Sequence, residues 1–179
     1  MLIIGTSQVV NILISIVRIK VLAVLLGPSG VGLLSVYNSL LEVVEKTAGL
    51  GMQSSGLREI ATSRDDEARL SKVRHVLFAA YLIQGTLAMI AVWLLRERIT
   101  IWLFGEATRT TEVGLIGIAI LIGLLSYAQT TLLQGLRKIS DLGRVTVFSN
   151  FVGTLAGLAA LWLQGENGLI WFILVQPLA

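Results

Sequence analysis

The chain has 179 residues, of which 55% are hydrophobic and 14% charged, with a formal net charge of +3. Soluble domains carry roughly 25% charged residues, so this composition, with a mean hydropathy of +0.83, excludes an ordinary water-soluble domain. The absence of Cys rules out disulfides, thiolate metal sites and Cys nucleophiles, and the lone His75 cannot build a metal site.

Crossing a bilayer takes about 20 predominantly apolar residues. Five stretches meet that need, at 3–26, 31–51, 76–95, 113–133 and 145–163, and a sixth apolar run, 168–179, begins near the chain end. The predicted fold is therefore all-α: a polytopic transmembrane helix bundle of five full spans plus part of a sixth, forming one domain over 1–179. Because a partial span would leave carbonyl groups unsatisfied in lipid, the chain reads as a fragment. The first span is too long and too interrupted by polar residues for a cleaved signal peptide.

The first span carries Gln8, Asn11, Ser15 and Arg18 at spacings of 3, 4 and 3, which places them on one helical stripe. Lys20 falls on another face, where its stem can snorkel toward the interface. Arg18 lies nine residues before Gly27, about 13 Å at the helical rise, and so sits deep in the hydrocarbon. The "GPSG" at 27–30 predicts a short turn. Beyond it, Ser35, Asn38, Glu42, Glu45 and Gly49 repeat the stripe spacing, with Ser39 and Lys46 widening it.

An ionised side chain in mid-bilayer costs on the order of 3 kcal/mol on insertion scales. Arg18 and Glu42 should accordingly face a bundle interior or a wet cavity. Either Arg18 pairs with Glu42 or Glu45 as helix glue, or it lines a cavity and holds an anionic group. Glu45 and Lys46, nearer the interface, read as snorkelling or pairing residues.

The polar segment 54–75 mixes five basic with four acidic residues at helical spacing, which predicts a helix or helical extension outside the membrane. That balance is far too even for nucleic-acid binding. In the fourth span Ser126, Gln129, Thr130 and Gln134 are polar; in the fifth, Thr146, Asn150, Gly153 and Gly157 share a face. Gly153 and Gly157 form a GxxxG, read here as ordinary helix packing.

Lys and Arg distribution orients the chain. Arg58, Arg64, Arg69, Lys72, Arg74, Arg137, Lys138 and Arg144 fall on one side, against Arg96, Arg98 and Arg109 on the other. The positive-inside bias then places the N-terminus in the cytoplasm. Trp93, Trp102, Trp162 and Trp171 cluster at the opposite ends of the spans, as an interfacial aromatic belt would.

The stretch "RIKVLAVLLGPSGVGLLSVYNSLLEVVEKTAGLGMQSSGLREIA" (18–61) resembles the opening two helices of Wzx-type polysaccharide flippases of the multidrug/oligosaccharidyl-lipid/polysaccharide exporter superfamily. "LQGLRKISDLGRVTVFSNFVGTLAGLAALWL" (133–163) is similar to the fourth-to-fifth helix connection of that family. The resemblance implies a protein of the bacterial inner membrane that moves undecaprenyl-diphosphate-linked oligosaccharide between leaflets by alternating access of two helical bundles. This chain would supply roughly one of them. It further implies a cavity role for Arg18, whose spacing before Gly27 matches that of a cavity arginine in the related lipid II flippases. Gln8, Asn11, Asn38, Glu42 and Gln129 are the accompanying cavity candidates. No cofactor, metal or catalytic residue is implied; the expected partners are the lipid-linked substrate, the bilayer and polysaccharide polymerase or assembly proteins. The alternatives are a drug or cation antiporter of the same superfamily, using Glu42 or another acid, and a non-transporting membrane subunit.

Overall fold

The computed structural model describes the backbone at residues 2–49, 51–64, 66–164 and 168–175, and the side chains at 8–49, 51–64, 66–162 and 168–175. Every regular element among these residues is a helix: α1 (Leu2–Gly49), α2 (Met52–Thr62), α3 (Glu67–Phe104), α4 (Thr110–Gly135), α5 (Ile139–Gln164) and α6 (Gly168–Val175). Four of them, over Gln8–Gly49, Glu67–Phe104, Thr110–Gly135 and Ile139–Trp162, are long and apolar enough to cross a membrane. The chain is thus a multi-pass helical membrane protein, as its composition requires.

The first expected span, and the second as far as Gly49, fall inside α1. Gly27 divides it: its backbone (φ 67°, ψ −176°) is not helical, and a positive φ of this kind favours glycine, which has no Cβ to clash. Pro28 follows at once, where its fixed φ suits the first position of a new helical segment and its missing N–H costs nothing. We refer to 2–26 as the leading segment of α1 and to 28–49 as its trailing segment.

The polar stretch after α1 forms a helix, as its charge spacing predicts, and then the start of α3. Gly51 (φ 72°) turns the chain into α2. Only Gly56 and Ile60 of α2 are buried: Gly56 faces Leu77 and Thr131, and Ile60 faces Gly135, so α2 lies against the facing ends of α3 and α4. Arg69 Nη2 reaches Glu59 Oε1 across the α2–α3 turn at 2.9 Å. α3 starts at a side-chain cap, Asp66 Oδ1 accepting the Arg69 N–H at 3.0 Å, and stops at Gly105 (φ 75°), whose N–H returns to the Ile101 carbonyl.

α3 and α4 form an antiparallel pair fastened by small residues. Gly85 faces Leu121, Gly117 faces the Met89 backbone and Gly114 faces the Trp93 ring, an ordered ladder in which one number rises as the other falls. In lipid, where apolar side chains gain little by leaving their solvent, such close approach and dispersion contact is what joins helices. The GxxxG of α5 serves the same purpose: Gly157 receives the Phe172 ring of α6. Tyr37, Tyr81, Ile120, Leu124, Leu169 and Ile173 are almost completely enclosed.

The outer surface is the reverse of a soluble protein's. Val24, Leu87, Leu94, Phe148 and many other apolar side chains are exposed, as are all four Trp: Trp93, Trp102, Trp162 and Trp171. The Arg96 guanidinium lies 4.4 Å from the Trp93 ring centroid, a cation–π contact suited to the membrane interface.

The tightest backbone approach is at the α5–α6 turn, where a Cβ on Gly168 would stand 2.5 Å from the Ala160 carbonyl oxygen and 2.8 Å from the Leu161 Cα. Neither atom is the free end of a side chain. Gly168→Ala is therefore expected to destabilise the protein by about 1–3 kcal/mol, read as a lowered thermal midpoint in detergent, whereas Gly32→Ala, with no atom in the way, should leave it nearly unchanged.

Candidate functional site

Polar side chains inside the spans are the candidates for function, because each costs free energy to place there. The structure gathers them into separate groups. The first lies between the leading segment of α1 and α5. Gln8, Asn11, Ile12, Ser15, Ile16 and Ile19 face Ile139, Leu142, Gly143 and Thr146 across a groove of about 460 Å³. Asn150 Nδ2 donates to Asn11 Oδ1 at 3.1 Å, linking the two polar stripes that the sequence places on these helices. Three of the four stripe residues of the first span, Gln8, Asn11 and Ser15, thus share one concavity.

Arg18, the fourth, extends the stripe beyond the groove's lining. It is half-buried, and among the described residues its guanidinium makes no hydrogen bond or ion pair. The pairing with Glu42 or Glu45 weighed from the sequence does not form. Glu42 is instead exposed and bonded to Lys46 Nζ at 3.1 Å, one turn along its own helix. Asn38 is half-buried on the trailing segment, away from the groove that holds Gln8 and Asn11. Gln129 is exposed on α4 and borders a different groove, between α3 and α4. Of the six candidates, Gln8 and Asn11 are therefore brought together, and Arg18 stands next to them along the same stripe.

A second group was not found by sequence reasoning. Glu45, read there as a snorkelling or pairing residue, is only 6% exposed. Lys46 is paired with Glu42, and Glu45 turns toward α4, where Tyr127 Oη donates to its Oε2 at 3.3 Å. Room for the carboxylate exists because residue 123 is glycine: a Cβ there would lie 1.8 Å from Glu45 Oε1. Glu45, Lys46, Gly49, Gly51, Gln53, Tyr81, Leu124 and Tyr127 surround a cavity of about 260 Å³ at this level. Periodicity within one helix cannot reveal a fit between positions 78 residues apart; the only hint was that Glu45 continues the stripe of Asn38 and Glu42.

A third group closes the other end of the same helix pair. Tyr37 Oη donates to Glu112 Oε2, Arg109 Nη1 donates to that oxygen at 3.1 Å, and the Tyr37 ring meets Phe104 edge-on at 5.7 Å. Two polar contacts, Tyr37 with Glu112 and Glu45 with Tyr127, thus bind the trailing segment of α1 to α4 in the same chain direction. The hydroxyls and carboxylates satisfy one another, which is what makes them tolerable in a low-dielectric setting.

A family model described as polysaccharide biosynthesis protein matches residues 21–179. The match takes in Asn38, Glu42, Glu45 and Gln129 and begins after Gln8, Asn11 and Arg18. No curated protein and no solved structure matches the chain.

The fit of Glu45 against Gly123 gives a direct test. Gly123→Ala should displace the carboxylate, break its contact with Tyr127 and destabilise the fold by about 1–3 kcal/mol, the usual cost of stranding a buried polar partner. Adding Glu45→Ala to Gly123→Ala should recover part of that loss, so a thermal double-mutant cycle should show coupling; purely additive effects would mean the two positions do not meet.

Proposed function

The chain belongs to the polysaccharide biosynthesis protein family, and from that premise we propose that it forms the N-terminal bundle of an inner-membrane flippase for undecaprenyl-diphosphate-linked oligosaccharide. The reading is of a transporter, with its N-terminus in the cytoplasm, and not of a group-transfer enzyme. The single observation that carries it is Arg18: a half-buried guanidinium within a membrane span, with no acidic partner among the described residues. Such a charge is worth its insertion cost when it meets an anion that arrives from elsewhere.

The adjoining groove supplies a complementary chemistry. Gln8, Asn11, Ser15 and Thr146 present amide and hydroxyl groups able to exchange hydrogen bonds with sugar hydroxyls, beside an apolar floor of Ile12, Ile16 and Ile19. In this mechanism Arg18 holds the diphosphate, the amides steady the glycan, and the polyprenyl tail stays in lipid. Rocking against a second bundle then exposes the same site to the other leaflet. No bond is made or broken, so the protein's task is differential binding in two orientations.

A second reading, a cation-coupled exporter of the same superfamily, is favoured by Glu45, the buried carboxylate beside a cavity. Glu42, the acid first suggested for that role, is exposed and paired with Lys46.

The test is replacement of Arg18 in cells, with surface polysaccharide measured. Arg18→Ala should lower export roughly 10- to 100-fold, the range expected for losing a charge-assisted hydrogen bond of about 1.5–3 kcal/mol, and Arg18→Lys should retain an intermediate level. Wild-type export in both variants, with protein levels matched, would remove Arg18 from the mechanism. If export instead fails only in Glu45→Gln and depends on the cation gradient, the second reading is the right one.

A further inference from the structure

Away from the groups that bind α1 to its neighbours, α3 and α4 enclose another groove, of about 490 Å³, that the transport reading does not use. Its walls are Leu77, Phe78, Ala79 and Leu82 from α3 and Ala128, Gln129 and Leu132 from α4, with Arg74 and His75 at one end. From Arg74 to Leu82 the α3 wall runs about 12 Å along the helix axis. Arg74 and His75 lie in the turns where α3 leaves its polar start and becomes apolar, so they stand at membrane-interface level while the rest of the groove reaches into hydrocarbon.

Among the residues lining this groove the one formal charge is that of Arg74. α3 has no acidic residue between positions 68 and 96, and α4 has none between 113 and 135. Arg74 makes no hydrogen bond or ion pair among the described residues, although Arg69, five positions earlier, is bonded to Glu59. His75 Nδ1 is 2.7 Å from the Ser71 carbonyl and donates to it. Lys72 adds a further basic side chain two positions before Arg74.

The geometry points to a binding site for an anionic phospholipid: its phosphate lies against Arg74, and one acyl chain lies along Phe78, Leu82 and Leu132. An uncharged lipid fills the apolar walls equally well but gains nothing from Arg74, and a zwitterionic lipid offers Arg74 a phosphate whose charge its own ammonium group offsets. A soluble anion uses Arg74 alone and leaves the groove empty. A lipid with net negative charge satisfies both parts without that offset. Gln129, one of the cavity candidates from sequence, acquires a role here as a hydrogen-bonding group on the opposite wall. This site stands apart from Arg18 and does not depend on what the protein transports.

Native mass spectrometry of the purified chain in detergent tests the assignment with phosphatidylglycerol and phosphatidylcholine of identical acyl chains. Phosphatidylglycerol should be retained at least about fivefold more than phosphatidylcholine, the factor that one interfacial cation contributes to anionic-lipid attraction. Arg74→Ala should remove that preference and Arg74→Lys should keep most of it. Arg144→Ala, which alters a basic residue outside the groove, should leave it intact. Ala79→Trp, which fills the apolar part, should lower retention of both lipids. Equal retention of the two lipids by the wild type, or equal losses in Arg74→Ala and Arg144→Ala, would overturn the assignment. So would displacement of phosphatidylglycerol by an equal concentration of a polyprenyl diphosphate, which would make the groove a site for transported cargo instead.

Discussion

Hydrocarbon offers no hydrogen bonds, and that fact governs every level of this protein. It confines the described backbone to helices, which satisfy their own N–H and C=O groups, and it removes the hydrophobic effect as a force between them. What remains to hold α3 to α4, or α5 to α6, is close contact. Glycines at 85, 114, 117, 157 and 168 provide it by letting a neighbouring backbone or ring settle where a side chain would otherwise stand.

The same solvent makes polar side chains expensive and therefore informative. The structure handles them in two ways. Glu45, Tyr127, Tyr37, Glu112 and Arg109 satisfy one another between helices, and so act as fasteners with a defined partner. Arg18 and Arg74 have no such partner among the described residues, and each stands beside a groove with a different lining: amides and hydroxyls near Arg18, hydrocarbon below Arg74. That contrast separates a site suited to a glycan diphosphate from one suited to a phospholipid.

Much of the fold was legible because it depends on local rules. Long apolar runs mark the membrane helices, Gly27-Pro28 marks the break in α1, and the mixed charges after residue 54 mark α2 and the start of α3. The four Trp fall on exposed surface, as an aromatic belt requires. The candidate site was legible only along single helices. The stripe Gln8, Asn11, Ser15 was recognisable from spacing, and the structure gives it a common groove with Thr146. The seat of Glu45 was not recognisable, because it is made by the absence of a side chain at Gly123 on another helix. Gln129 and Asn38 show the converse: each lies on a polar face of its own helix, yet they border different surroundings. Periodicity reports which side of a helix is polar, and only packing decides what that side meets.

The interruption at Gly27 has a mechanical consequence. The leading segment of α1 is tied to α5 through Asn11 and Asn150, while the trailing segment is clasped to α4 through Tyr37 and Glu45. The joint between them is a residue already outside helical geometry, followed by a proline with no N–H to surrender. The backbone ladder of α1 is thus thinnest at this joint. α1 is less a single strut than an elbow, with each forearm fixed to a different part of the bundle.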